Sequence, residues 1–147
     1  MTWQGTIVSI NITPASGEPM QTVDQIDAVA GKGLTGDRNF GDAESKQLSL
    51  IESESIDAME QETGLALAYA DARRNIVTKG VSLAGLVDKE FTVGGVTVRG
   101  VQLSEPCQHL ADLTDLKVLK GLVHRGGLKA EILTDGQIAV GDTVAGQ

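Results

Sequence analysis

From Gln4 to Thr13 the chain alternates between two sets of positions, with Thr6, Val8, Ile10 and Ile12 on one parity and Ile7, Ser9, Asn11 and Thr13 on the other. A period of two predicts a β-strand, and the apolar load of the first set predicts that Val8, Ile10 and Ile12 face inward. Pro14 to Pro19 reads as a loop, and Val23 to Val29 as a second, loosely patterned strand with Val23, Ile26 and Val29 as its apolar positions. The stretch Gly31-Lys32-Gly33-Leu34-Thr35-Gly36-Asp37-Arg38 holds three glycines and two cations in eight residues, too much backbone freedom for a regular element.

Leu48 to Ile51 predicts a short strand, and Ser53 to Thr63 a helix that ends where Gly64 offers a C-terminal stop. Ile56, Met59 and Thr63 mark the inward side of that helix, while Glu54, Asp57, Glu60 and Glu62 make the other side a solvated acidic face. Ala70 to Thr78 runs into the apolar pair Ile76-Val77, so Arg73-Arg74-Asn75 lead into a strand. Gly94-Gly95 between Glu90-Phe91-Thr92-Val93 and Val96-Thr97-Val98-Arg99 predicts a two-residue hairpin whose second arm continues through Val101 and Leu103. Leu110, Leu113, Leu116, Leu119 and Leu122 suggest helical segments up to about His124 to Gly127. Lys129 to Leu133, a turn at Thr134-Asp135-Gly136-Gln137, and Ile138 to Val144 are expected to close the chain as a hairpin. Many short strands with glycine turns and few helices do not make a regular βαβ alternation; the expectation is a mainly β fold, an antiparallel barrel with peripheral α-helices.

Composition narrows this further. With 147 residues, 41% of them hydrophobic, a single domain over 1–147 with one core is expected, and with only four aromatic residues that core must be aliphatic. A net charge of −8 argues against nucleic acid and anionic membranes as partners, since both need a broad basic surface. Met1-Thr2-Trp3-Gln4-Gly5 lacks the basic start of an export signal, and no apolar run approaches the roughly 20 residues that span a bilayer. A cytoplasmic protein is the expectation.

Several cations nevertheless fall in glycine-rich or strand-entry segments: Lys32 and Arg38, then Arg73, Arg74 and Lys79, then Arg125 and Lys129. Gly126 and Gly127 beside Arg125 would let backbone N–H groups approach an anion closely, with arginine adding bidentate hydrogen bonds to phosphate or carboxylate. The competing reading is that these cations pair with surface acids. Cys107 is the only cysteine, which excludes an internal disulfide and leaves packing, metal ligation, sulfur transfer or redox sensing. Cys107 with His109, or with His124, is too small a set for structural zinc. A Cys/His/Asp hydrolase built on Cys107 and Asp112 has no support in the spacing.

Taken in order, Gly36-Asp37-Arg38, Arg74-Asn75-Ile76-Val77 with Gly80-Val81 and Leu83, Glu105-Pro106-Cys107, His124-Arg125-Gly126-Gly127-Leu128, and Gly136-Gln137-Ile138 with Gly141-Asp142-Thr143-Val144 resemble the MOSC domain. That domain occurs at the C-terminus of molybdenum cofactor sulfurases, in amidoxime reducing components, and alone in small bacterial proteins. The resemblance spans roughly residues 5 to 144. It implies a β-barrel-rich fold that binds molybdopterin or its molybdenum form. Cys107 matches the family's cysteine, which serves as a persulfide carrier or a molybdenum ligand. Arg38, Arg74, Asn75, Arg125 and Gly126 fall at motif positions and are implied cofactor contacts, with Lys32 and Arg73 beside them.

The departures set the alternatives. Where many relatives carry Cys-Glu-Pro-Cys, this chain has Ser104-Glu105-Pro106-Cys107, so no resolving cysteine is present. There is no room for the pyridoxal-phosphate domain of the sulfurases, and pyridoxal phosphate is not expected. A cysteine desulfurase is the implied partner for sulfur transfer, and an electron-transfer protein for reduction of N-hydroxylated compounds. The remaining alternative is a structural or interaction domain with an inert buried cysteine.

Overall fold

The computed structural model describes residues 2–15, 17–41, 47–66, 68–104 and 127–146. Seven strands close into a ring, in the order β11 (Thr143–Gly146), β7 (Glu90–Val93), β8 (Val96–Leu103), β9 (Leu128–Ile132), β5 (Leu48–Glu52), β6 (Ile76–Lys79) and β1 (Trp3–Ile12). Pairing of Trp3 with Gly146 through Thr6 with Thr143 shuts the barrel. Every ring pair is antiparallel except β5–β6, in which Leu50 lies beside Ile76 and Glu52 beside Thr78. A parallel pair needs a long crossover. Here the crossover contains α1 (Ser53–Thr63) and a 3-10 turn at Tyr69–Ala72.

Outside the ring, β2 (Gln21–Val23) pairs with the end of β1, and β10 (Gly136–Ala139), β3 (Gln25–Val29) and β4 (Gly33–Leu34) form a second, three-stranded sheet. The mainly β barrel expected from the pattern is therefore present, with one α-helix among the described residues. The expected strand over Val23 to Val29 breaks at Asp24, where the chain passes from one sheet to the other.

Two cores result. Ile7, Ile10, Leu48, Leu50, Ile76, Val98, Leu128 and their neighbours fill the barrel with aliphatic side chains. On the outside, Ile56 and Met59 of α1 seal Ile51 and Val77, with Ala72 and the partly buried Val8 and Tyr69. Removing each of these two helix side chains from water stabilises the fold by about 1.5–3 kcal/mol. Gly64 ends α1 as expected, at φ 75 with its N–H donating to Glu60 O at 2.8 Å.

Two further expectations are corrected. Val8 does not face inward with Ile10 and Ile12, because the β1–β6 register shifts between Ile7 and Ser9; this bulge turns Ile7 inward and sends Val8 to the helix side. The closing hairpin does not form either. Ile138 to Val144 is two strands separated by a turn at Val140–Asp142, one joining β3 and the other joining β1 and β7. The Gly94-Gly95 hairpin forms as predicted, with Gly94 at φ 60.

Candidate functional site

β1 ends at a buried polar cluster. Ser9, Asn11 and Thr13, the parity opposite to the strand's expected apolar face, are 7%, 0% and 0% exposed. The first two belong to a network across β6 and β5. Asn11 N–H donates to Asn75 O at 2.7 Å, and Asn75 Nδ2 returns a bond to Asn11 O at 3.0 Å. Asn75 Oδ1 accepts from Ser49 N and Ser49 Oγ, each at 3.1 Å, while Asn75 N donates to Ser49 Oγ at 3.0 Å.

Ladder pairings extend this row. Ser49 lies opposite Lys129, Lys129 opposite Gln102, and Asn11 opposite Thr22. Five strands and the residue that leads into β6 thus present one row of polar side chains: Gln102, Lys129, Ser49, Asn75, Asn11 and Thr22. The inward neighbours Leu128, Leu50, Ile76 and Ile10 fill the barrel.

The arginine-bearing segments anchor on this rung. Asn11 Nδ2 donates to Arg74 O at 3.4 Å. Arg73 precedes it in the left-handed conformation, φ 58 and ψ 34, with its N–H donating to Ala70 O at 3.1 Å. A non-glycine residue in that region costs about 1–3 kcal/mol, tolerated where the surroundings dictate it. From the other side, Arg38 N–H donates to Thr13 O at 2.7 Å, and Thr13 N–H donates to Asp37 Oδ1 at 3.2 Å, so Asp37 and Arg38 grip Thr13 from both faces of its backbone. Arg38 Nη1 rests on the sulfur of Met20 at 3.6 Å, a weak acceptor.

Arg73 carries the site's electrostatic signature. Partial burial draws its pKa down, the positive charge of Arg38 lowers it further, and Asp71 opposes both. The guanidinium still stays charged at neutral pH. Its Nη2 is buried and has no hydrogen-bond partner among the described residues. The positive charge of Arg38 reaches Arg73, and a buried guanidinium donor that no described residue satisfies is one that a phosphate or another compact anion would complete.

The sequence-derived candidates distribute as follows. Arg38, Arg73, Arg74 and Asn75 come together at the ends of β1 and β6. The Asn75 carboxamide is engaged with Ser49 and Asn11, so it holds the floor of the site. Lys32 is exposed on the β3–β4 turn, where its carbonyl accepts from Gly41 N–H at 2.8 Å and closes the base of the loop that bears Arg38. Cys107, His109, His124, Arg125 and Gly126 lie outside the described residues, as do the leucines of the expected helical segments. What flanks them is defined: Ser104 N–H donates to Gly127 O at 2.8 Å, so the chain leaves and re-enters the barrel at one point. Gly127 has φ 114, and a Cβ there would run into the backbone of Leu50, so glycine is required.

Asn11, Thr13, Thr22 and Ser49 were not singled out by the sequence, because polar residues on a strand's second face read as solvated. A run of Ser, Asn and Thr at alternating positions was the available signal. A cavity of about 560 Å³, lined by Trp3, Phe91, Thr92 and Thr97 among others, is formed by β1, β7, β8 and β11, and no arginine lines it. Among the described residues no three His, Cys, Asp or Glu side chains gather into a metal site.

Solved structures share this architecture. The YUAD protein from Bacillus subtilis superposes with a TM-score of 0.87 at 14% identity, over 99% of this chain and 96% of that one. YiiM from Geobacillus stearothermophilus gives 0.75 at 21% identity, over 97% and 75% of the two chains. YiiM from Escherichia coli gives 0.69 at 18% identity, over 95% and 68%. Identities this low establish the fold alone. No curated protein sequence matches the chain. The MOSC domain model matches residues 35–145, a span that runs from the Arg38 loop through the arginine turn to the last strand. This chain therefore belongs to the MOSC domain family, a family associated with molybdenum cofactor binding.

Proposed function

We propose that this protein binds the molybdenum cofactor through the arginine pair, with Cys107 as the molybdenum ligand or as a persulfide sulfur carrier. The observation that carries the reading is the buried Nη2 of Arg73, without a hydrogen-bond partner among the described residues and within reach of the positive charge of Arg38. Those donors suit the phosphate of a molybdopterin. When bound, the group would supply redox chemistry at molybdenum. The chain's own residues do the rest: Arg38 and Arg73 neutralise the phosphate, and Asn75 keeps the turn in register. Cys107 offers a soft thiolate to the metal or to sulfane sulfur.

The partner follows from the role. A carrier takes sulfane sulfur from a cysteine desulfurase, the Cys107 thiolate attacking the donor persulfide and releasing the donor thiolate. A reductase of N-hydroxylated compounds takes electrons from an electron-transfer protein. A cytoplasmic location is part of this proposal; separately, no helix among the described residues is long and apolar enough to cross a membrane.

The test is metal and pterin analysis of protein expressed in a molybdenum-replete host. Stoichiometric pterin, with molybdenum lost in Cys107→Ser, supports the metal-ligand role. Pterin without molybdenum, together with sulfur loading of Cys107 by a desulfurase, supports the carrier. Absence of pterin with a Cys107 that resists thiol reagents until denaturation would overturn both.

A further inference from the structure

We propose that Asn11 is a positioning residue: its carboxamide fixes the Arg73–Arg74 turn against the Arg38 loop and so sets the spacing of the two guanidinium groups. This rests on the anion-binding reading above.

The orientation of the amide is dictated by its neighbours. Thr22 Oγ1 donates to Asn11 Oδ1 at 2.8 Å and Ser9 Oγ donates to it at 3.3 Å, so the oxygen end is held by two hydroxyls on β1 and β2. The nitrogen end must then face Arg74 O, an acceptor that only a donor can satisfy. A flipped amide would set oxygen against oxygen and leave both hydroxyls without their acceptor. Asn11 is 0% exposed, and its own N–H and C=O are taken by Asn75.

The other arginine hangs from the same strand end. Two residues after Asn11, Thr13 is gripped through Asp37 Oδ1 and Arg38 N–H. Residues 11 to 13 of β1 and its exit therefore connect two segments that are distant in sequence, one holding Arg38 and the other Arg73. An anion spanning both guanidinium groups needs this separation maintained, because bidentate recognition falls off steeply with misplacement. Neither Asn11 nor Thr22 needs to touch the ligand.

The test uses the full chain with inorganic phosphate as probe, followed by calorimetry and by the arginine side-chain nitrogen signals. Arg38→Met and Arg73→Met should each weaken phosphate binding at least tenfold, and less than additively together. Asn11→Leu should weaken it about tenfold, and in the Asn11→Leu background the two arginine substitutions should become additive. Thr22→Val, at an exposed position that does not endanger folding, should weaken it about threefold and carries the test if Asn11→Leu does not fold. Met59→Ala, which lowers stability on the helix side, should leave affinity unchanged; a purely structural role for Asn11 would make the two alike. Wild-type affinity in both Asn11→Leu and Thr22→Val, with the arginine variants impaired, overturns the positioning role and leaves the anion site standing. Indifference to both arginine variants overturns the anion site and this inference with it.

Discussion

Two outward rungs lie side by side across β1, β5 and the start of β6, and each is covered by different means. Ile51 and Val77, with Val8 from the bulge, lie under α1. Ser49, Asn75 and Asn11, next along the same strands, are joined by directional bonds and lie beneath the arginine turn. Apolar burial is proportional to area and tolerant of small shifts. A hydrogen-bonded rung is intolerant: its groups must meet at fixed geometry or remain unsatisfied at about 1–3 kcal/mol each. The first rung therefore holds a helix on, and the second holds loops in register.

The largest effect should come from breaking the apolar rung. Met59→Ala opens a cavity at a fully buried site and should cost about 2–5 kcal/mol by urea denaturation, with phosphate affinity unchanged. Asn75→Ala removes the acceptor of Ser49 N–H and the donor to Asn11 O; it should cost about 1–3 kcal/mol and, unlike Met59→Ala, also weaken phosphate binding in calorimetry. Equal affinity in the two variants would erase the distinction between the rungs.

The smallest effect lies at Glu52, the next residue after Ile51 on β5. Burial raises its pKa, the bond from Leu83 N–H partly offsets this, and Glu54 adds repulsion. The folded state thus holds this proton more tightly than the unfolded chain does, and ionisation is the disfavoured event. Stability contributed here is full below the ordinary glutamate value of about 4.3 and falls as pH rises through the raised folded value. Glu52→Gln should flatten that decline in urea titrations run from pH 4 to 7. A variant curve parallel to wild type would contradict it.

The contrast also separates what could be read from the chain. Local pattern located α1 to its last residue and stop, and the Gly94 hairpin, because period and turn chemistry are near-neighbour properties. The closing hairpin failed because Ile138 to Val144 pairs with β3, β1 and β7, partners that no local pattern specifies. The burial of Ser9, Asn11 and Thr13 was not legible for a related reason: partners of Asn11 and Thr13 come from residues 37–38 and 74–75, remote in sequence. The motifs marked Arg38 and Arg74 as site residues; their meeting at one strand end, and the prominence of Arg73, required the fold.

The most direct measurement is the pterin content of wild type against Arg73→Met, both purified from a molybdenum-replete host and matched for thermal stability. The account predicts near-stoichiometric pterin in the wild type and less than a tenth of it in the variant. Equal content in the two proteins would contradict it.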